Sequence, residues 1–197
     1  LDVLAAPGDV GDAADAVRMV AAATRALGGL DYLVNNAATP GTRTPIAPAD
    51  LDRLDEAFWA RLLSVNLVGA FRCARAAAAA LRESRGAIVN VASVSAFVTG
   101  GSSMAYGATK SGLVMLTREL ARGLGPEVRV NAIAPGLVGG SSWDCQWPGE
   151  EIAASAARIP LKRVGQPADY AEPILYLCAG AAYVTGQTLI VDGGMLA

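Results

Sequence analysis

Short apolar runs alternate with longer helical patterns along almost the whole of this 197-residue chain. The predicted strands lie near residues 2–6, 31–35, 86–92, 128–134 and 187–191. The predicted helices lie near residues 12–27, 50–82, 102–123, 149–157 and 167–181. This alternation is typical of a parallel sheet covered by helices, and runs such as AIVNVA and VRVNAI suit strands buried on both faces. We therefore predict an α/β fold with a doubly wound parallel sheet in a single domain.

Composition excludes several classes of function. The chain has no histidine, which rules out a Ser-His-Asp triad and most zinc enzymes. Its three cysteines, Cys73, Cys145 and Cys178, are widely spaced, so we expect neither a metal site nor a disulfide framework. The net charge of −2 comes without a basic stretch, and we expect no nucleic-acid partner.

No membrane segment is expected either. The longest apolar run, near residues 76–81, is far shorter than the ~20 residues that a membrane span needs. The first residues lack the basic start of a signal peptide. We therefore expect a cytoplasmic protein.

Three side chains point to proton transfer. Tyr106 and Lys110 are four residues apart and share one face of a predicted helix, and Ser93 lies thirteen residues before the tyrosine. A phenol with a pKa of about 10 is a poor acid or base at neutral pH, and a nearby cation should lower its pKa. A serine hydroxyl could then orient a carbonyl or alcohol oxygen. Taken alone, the Y-x-x-x-K pattern is also common on solvated helix faces, and Ser93 could simply cap backbone groups.

Seven segments, two of which contain this trio, match a known family. They are Asp9–Val10, Leu33–Ala38, Ser64–Phe71, Ile88–Ala96, Ala105–Leu113, Val128–Gly136 and Val191–Gly194. In order and spacing the chain resembles the short-chain dehydrogenase/reductase family of the classical type. The resemblance implies a Rossmann-like fold, NAD or NADP as cofactor, and hydride transfer between that cofactor and a small carbonyl or secondary alcohol.

The same resemblance assigns roles to four candidate catalytic residues. Tyr106 would be the acid/base, and Lys110 would lower its pKa and bind the nicotinamide ribose. Ser93 would hold the substrate oxygen. Asn66 would hold a water of the proton relay, although an asparagine in a helix can also simply bond nearby backbone.

Cofactor contacts follow in the same way. The resemblance assigns Asp9 to the adenine amino group, Val10 to the adenine ring, and Asn36 with Ala37 to the adenosine ribose. Gly136 and Val138 belong to the turn whose last amide would hold the nicotinamide carboxamide. Asp9 could instead be a helix N-cap. Ala38 stands where the family usually has glycine, and Gly140 stands where it often has threonine, a role that Ser141 or Ser142 could take over.

The glycine-rich T-G-x-x-x-G-x-G turn of the family, which seats the pyrophosphate, does not occur at its place in this sequence. We therefore expect the family's first two strands to be absent, the domain (residues 1–197) to be incomplete at its N-terminus, and cofactor binding to be weak. Either a preceding segment lies outside this sequence, or the chain is naturally truncated. The alternative function is a non-catalytic scaffold or oligomer partner.

Two further expectations concern partners. Helices 50–82 and 102–123 resemble the family's dimer surface, so we expect a homodimer or homotetramer, with Ala74, Ala77, Ala78, Gly112 and Ala121 allowing close approach. The segment from Gly139 to Ile159 resembles the substrate-binding loop. Its Trp143, Cys145 and Trp147, together with Phe97 and Val98, favour an apolar substrate or pack the loop onto the domain.

Overall fold

A parallel sheet forms the centre of the molecule in the computed structural model, which describes residues 3–140 and 149–197. Within these residues the strands are β1 (Tyr32–Asn35), β2 (Ala87–Val91), β3 (Arg129–Pro135) and β4 (Thr188–Val191). They pair in the order β1-β2-β3-β4, and each neighbouring pair is parallel. The four predicted strands from residue 31 onward are thereby confirmed.

Helices connect the strands and cover both faces of the sheet. They are α1 (Ala13–Leu27), α2 (Glu56–Leu62), α3 (Gly69–Ser84), α4 (Met104–Leu124), α5 (Gly149–Arg158) and α6 (Pro167–Leu175). On one face Ile88 packs with α1, α3 and α4, whereas its neighbour Val89 packs on the other face with α6 and the residues after it. Successive residues of β2 thus enter two different cores, which confirms the doubly wound α/β class.

The strand predicted at residues 2–6 is wrong for the residues that the structure describes, while Asp2 lies outside them. Residues 3–8 form no strand, and the side chains of Val3 and Leu4 are 87% and 58% exposed. A strand is stable only when a neighbour satisfies its backbone groups. The nearest candidate, β1, is hydrogen-bonded to β2 and to no other strand of the described chain.

The long helix predicted at residues 50–82 begins later than expected and contains a π-helical stretch. A 3₁₀ turn at Leu51–Arg53 comes first, and α2 begins only after Asp55, whose carboxylate accepts the Phe58 amide at 2.7 Å. Between α2 and α3 lies a π-helical stretch, Leu63–Val68, which we call the π segment. A π turn inside a helix shifts the phase of the side chains that follow it, and such turns are frequent at functional sites.

The continuous helical run Glu56–Ser84 is long and apolar enough to cross a membrane by length and composition alone. In the fold, its second half contributes Cys73, Ala74, Ala77 and Leu81 to the core beside α1 and α4. A core helix passes the same length and composition test, and we interpret this run as a core helix.

The expected role of the small helix residues in a dimer surface is wrong for most of them. Ala74 and Ala77 are fully buried, and Ala121 is 7% exposed, because all three face the core of their own chain. Ala78 also packs against that core, and a Cβ at Gly112 would lie 3.1 Å from a methyl group of Leu67. The small side chains of these residues therefore allow close packing within one chain.

Candidate active site

The candidate site lies at the carboxyl edge of the sheet. Asn35 pairs with Asn90, and Val91 pairs with Ile133, so β1, β2 and β3 end side by side. The residues that follow these strands are therefore neighbours in space: Asn36 and Ala37 after β1, Ser93 after β2, and Gly136 after β3. Open parallel α/β sheets bind ligands at this edge.

Ser93 is held in extended backbone at the start of a 3₁₀ turn, Val94–Ala96. Its Oγ accepts the amide of Ser95 at 3.2 Å, which is the capping role that the sequence left open. The Ser93 side chain also lies close enough to that of Tyr106 to lower the pKa of the phenol. Ser93 thus combines a local capping bond with an influence on the candidate acid/base.

Tyr106 lies in the first turn of α4. Ser103 caps this helix, and its Oγ accepts the Tyr106 amide at 3.1 Å. The 3₁₀ turn after Ser93 packs against the same end of α4, where the Ser111 hydroxyl donates to the Ala96 carbonyl at 2.9 Å. Two independent anchors therefore hold the tyrosine beside Ser93.

Lys110 is almost fully buried, with 2% of its surface exposed. Its Nζ donates to the Val91 carbonyl at 2.7 Å and lies 5.7 Å from the centroid of the Tyr106 ring. No carboxylate forms an ion pair with it within residues 3–140 and 149–197. Burial of this uncompensated ammonium lowers the pKa of Lys110 from 10.5 to about 8.

The expected lowering of the Tyr106 pKa by Lys110 does not appear. Burial raises the pKa of Tyr106 above its ordinary value of 10, and the opposing influence is the nearby Ser93 side chain. The physical reason is that desolvation penalises the phenolate more than the serine favours it. Ser93, and not Lys110, is the residue that lowers the pKa of Tyr106 against the effect of burial.

Asn66 is 1% exposed and lies in the π segment. Its Oδ1 accepts the Thr39 amide at 2.7 Å, and its Nδ2 donates to the Thr39 carbonyl at 2.9 Å and to Thr109 Oγ1 at 3.2 Å. Thr109 in turn donates to the Tyr106 carbonyl at 2.8 Å. The side chain of Asn66 therefore ties the loop after β1 to the helix that carries the tyrosine.

Asp9 and Val10 form a turn before α1. The Asp9 carboxylate accepts the Gly11 amide at 2.7 Å, whereas the N-cap of α1 is Asp12, which accepts the Asp15 amide at 2.8 Å. The capping alternative for Asp9 is therefore wrong. Asp9 is exposed, and Val10 packs against the core formed by α1 and α3.

A hydrogen-bonded pair of asparagines, of which Asn90 is fully buried and Asn35 partly buried, was not predicted. Asn35 donates to Asn90 Oδ1 at 2.8 Å, and Asn90 donates to Thr117 Oγ1 at 2.9 Å. This chain of bonds links β1, β2 and α4. The signal in the sequence was an asparagine inside each of the apolar runs YLVN and IVNV, where an unpaired amide would be costly.

Gly136 and Val138 belong to a tight crossing after β3. A Cβ at residue 136 would lie 2.9 Å from Asp192 Cα, so glycine is required there. Val138 bridges to Gly165: the Gly139 amide donates to the Gly165 carbonyl at 2.8 Å, and the Gly165 amide donates to the Leu137 carbonyl at 3.1 Å. In such a parallel bridge the Val138 amide points away from Gly165.

Several residues assigned by sequence lie outside the described residues. They are Ser141, Ser142, Trp143, Cys145 and Trp147. A cleft of about 150 Å³ lies at the end of β4, lined by Gly165, Tyr170, Asp192 and neighbouring residues rather than by Tyr106. In the described part of the chain, no group of three His, Cys, Asp or Glu residues is placed to hold a metal.

Known proteins share both the sequence and the fold. Residues 1–196 match the family described as Enoyl-(Acyl carrier protein) reductase. The chain is 38% identical to 2-(S)-hydroxypropyl-CoM dehydrogenase 3 of Xanthobacter autotrophicus, covering 96% of this chain and 75% of that protein. A second protein of that organism, named inactive 2-(S)-hydroxypropyl-CoM dehydrogenase 2, is also 38% identical, over 96% of this chain and 83% of its own length.

Two further comparisons concern the reaction and the cofactor. The 3-oxoacyl-[acyl-carrier-protein] reductase FabG of Staphylococcus aureus is 36% identical, over 99% of this chain and 78% of that protein. The structure of gluconate 5-dehydrogenase from Burkholderia cenocepacia with NADP and tartrate superposes with a TM-score of 0.84 at 29% identity, covering 95% of this chain and 73% of that one.

Fold and comparisons together define a Rossmann-like oxidoreductase that uses NAD or NADP. The chain belongs to the short-chain dehydrogenase/reductase family. Its reaction is hydride transfer between a nicotinamide cofactor and a carbonyl or secondary alcohol.

Proposed function

We propose that Tyr106 is the acid/base of this reaction, with Ser93, Lys110 and Asn66 as its partners. The observation that carries the proposal is the anchoring of Tyr106 and of the turn after Ser93 at one end of α4, with the buried Nζ of Lys110 5.7 Å from the centroid of the tyrosine ring. A substrate oxygen within reach of both hydroxyls would accept one hydrogen bond from each. During reduction Tyr106 gives its proton to that oxygen, and during oxidation it removes the hydroxyl proton.

The residues at this edge fit a nicotinamide cofactor. Lys110 has three N–H donors, of which the Val91 carbonyl takes one, so its ammonium can also donate to ribose hydroxyls. The Val138 amide points away from its bridge partner Gly165 and would suit a carboxamide acceptor. A bound cofactor supplies or accepts the hydride, while the protein orients it and moves the proton.

For the adenosine half of the cofactor we propose the exposed residues Asp9, Asn36 and Ala37, with Val10 beside the adenine ring. Asn36 and Ala37 begin where β1 ends, at the carboxyl edge. Gly136 allows a close crossing with Asp192. Val138, two residues later, would serve the nicotinamide half. This assignment agrees with a cofactor that lies across the ends of β1, β2 and β3.

On the substrate side we propose an apolar or cyclic carbonyl compound. Phe97 and Val98 follow the 3₁₀ turn of Ser93, and Met104 precedes Tyr106 by two residues. Their side chains are 45%, 43% and 43% exposed. Exposed apolar groups next to the proton-transfer residues would gain by burying an apolar substrate.

The test of the catalytic assignment is Tyr106→Phe in the full chain, with Tyr183→Phe as the control because Tyr183 is fully exposed. We expect the Tyr106 variant to lose about 10²–10⁴-fold in kcat, since only the proton-transferring hydroxyl is removed. The control should keep the wild-type rate. A Tyr106 variant with more than about a tenth of that rate would refute the role.

The second candidate is a non-catalytic scaffold or oligomer partner. The similar relative named as inactive favours it. Cofactor titration separates the enzyme from the scaffold. If the wild-type protein binds neither NAD nor NADP and turns over no carbonyl with either, the scaffold function is correct.

We further propose a single-domain, cytoplasmic homodimer or homotetramer. The exposed apolar side chains on the run of α2, the π segment and α3, namely Leu63, Val68 and Phe71, support association together with Met115 of α4. The cytoplasmic assignment is supported by Cys73 and Cys178, which are free thiols. Light scattering at micromolar concentration tests the oligomer, and a clean monomer mass would contradict it.

A further inference from the structure

The π segment contacts two distant parts of the site through two side chains. Ser64 Oγ donates to the Gly11 carbonyl at 2.8 Å, while Asn66 reaches the loop after β1 and, through Thr109, helix α4. Residues two apart on a helix do not face each other, which is why the two side chains point to different places. One short stretch of backbone thus contacts both the turn before α1 and the helix of Tyr106.

Arg72, one turn into α3, strengthens the contact with that turn. Its Nη1 donates to the carbonyls of Gly11 at 2.9 Å and Val10 at 3.2 Å. It also reaches the Ser64 carbonyl at 3.2 Å and the Ser64 hydroxyl at 3.1 Å. Hydrogen bonds from a charged donor are shorter and stronger than neutral ones, so this half-buried guanidinium is a strong local anchor.

Nothing in the described chain gives Arg72 an acidic partner, since the ion pairs found there involve other arginines. All the bonds of its Nη1 go to the turn and to Ser64. The backbone of α3 also lies close to the turn, because a Cβ at Gly69 would be 3.1 Å from the Val10 carbonyl oxygen. Arg72, Ser64 and Gly69 therefore determine together where residues 9–11 lie.

We propose that Arg72 is a positioning residue, supported by Ser64, which holds the Asp9–Gly11 turn in place for the adenine end of the dinucleotide. The inference rests on the proposed role of Asp9 and Val10. Arg72 acts through the backbone carbonyls of the turn and does not itself need to contact the cofactor. Because the π segment also carries Asn66, it keeps the adenine end in register with the helix that carries Tyr106.

The test compares Arg72→Met and Arg72→Lys with wild type in the full chain. Arg75→Met is the control, because Arg75 lies on the same helix and its guanidinium stacks over the exposed Phe71 ring instead. The measurements are hydrogen–deuterium exchange of residues 9–12, ADP-ribose affinity, and the KM and kcat for NADPH and NADH. ADP-ribose is the probe because it contains the adenine end and lacks the nicotinamide.

In Arg72→Met we expect exchange of residues 9–12 to rise about tenfold and ADP-ribose affinity to fall about tenfold, since charged hydrogen bonds are lost. As the affinity falls, the cofactor KM should rise, while kcat at saturating cofactor stays within about twofold of wild type. Arg72→Lys should recover part of the loss because it keeps a charged donor. Ser64→Ala should act in the same direction but more weakly.

Unchanged exchange and ADP-ribose affinity in Arg72→Met would overturn the inference, and so would wild-type protein that fails to bind ADP-ribose. An equal loss in Arg75→Met, or a fall in kcat as large as the rise in KM, would show a general structural effect and overturn it too. Tyr106→Phe keeps failure of the proposed function separate. If that variant retains turnover, the catalytic assignment fails, and the exchange and ADP-ribose results still decide the role of Arg72.

Discussion

The buried lysine should reduce the stability of the folded protein at neutral pH. Lys110 is 2% exposed, and the fall of its pKa from 10.5 to about 8 is equivalent to about 3 kcal/mol against the charged form. Lys110→Met removes this cost and leaves the Val91 carbonyl without its donor, which costs about 1–3 kcal/mol. At pH 7 the variant should therefore match the wild-type free energy of unfolding or exceed it by up to about 2 kcal/mol.

The difference should depend on pH in one direction. Between pH 8 and 10.5 the unfolded chain holds the lysine proton that the folded chain has released, so wild-type stability rises with pH in this window. The variant lacks this group and gains nothing from it. Its advantage at pH 7 should shrink as the pH rises through 8 and reverse near 10.5, because only the loss of the Val91 hydrogen bond then remains.

Urea unfolding at several pH values between 7 and 10.5 measures this, with Lys162→Met as the control because Lys162 is exposed. Subtracting the variant from the wild type removes the contributions of groups that both proteins share. The Lys110 variant should also lose activity, since it lacks the donor proposed for the ribose. A variant that is less stable than wild type by more than about 2 kcal/mol at pH 7, with a difference that does not change with pH, would refute the reasoning.

Three other changes test separate parts of the structure. Gly136→Ala places a Cβ 2.9 Å from Asp192 Cα, so thermal unfolding should show a loss of about 1–3 kcal/mol and the cofactor KM should rise. Arg163 holds the pKa of Asp169 well below its usual range, so Asp169→Asn should destabilise at pH 7. The deficit should begin to shrink as the pH falls below about 4 and should disappear only below the lower pKa of the folded state. A deficit that is equal at pH 7 and pH 3 would contradict this. Phe97→Ala should raise the KM for an apolar ketone about tenfold and leave the cofactor KM unchanged; the opposite split would place Phe97 elsewhere.

The sheet was predictable because strand signals are local. The four predicted strands that form contain apolar runs between turn residues, and their parallel order follows from the helices between them. The positions of Tyr106, Lys110 and Ser93 along the chain also indicated the site, because a helix places residues four apart on one face and β2 ends just before Ser93.

Tertiary contacts decided what local pattern could not. The run at 2–6 has the composition of a strand, yet its residues 3–6 form none, since a strand depends on a neighbour rather than on its own residues. Contacts with residues far away in sequence also determine the π segment and the burial of Ala74 and Ala77. The same holds for the hydrogen bonds of Arg72 to the Val10 and Gly11 carbonyls.

The pKa values at the site also depend partly on local sequence and partly on the tertiary structure. The sequence alone placed a lysine beside a tyrosine and so predicted a lowered tyrosine pKa. Burial is a property of the whole fold, and it raises the pKa of Tyr106 and lowers that of Lys110 to about 8. Residue types and spacing thus determined which groups meet, whereas only the folded structure determined how much water each of them keeps, and desolvation decides which way their pKa values move.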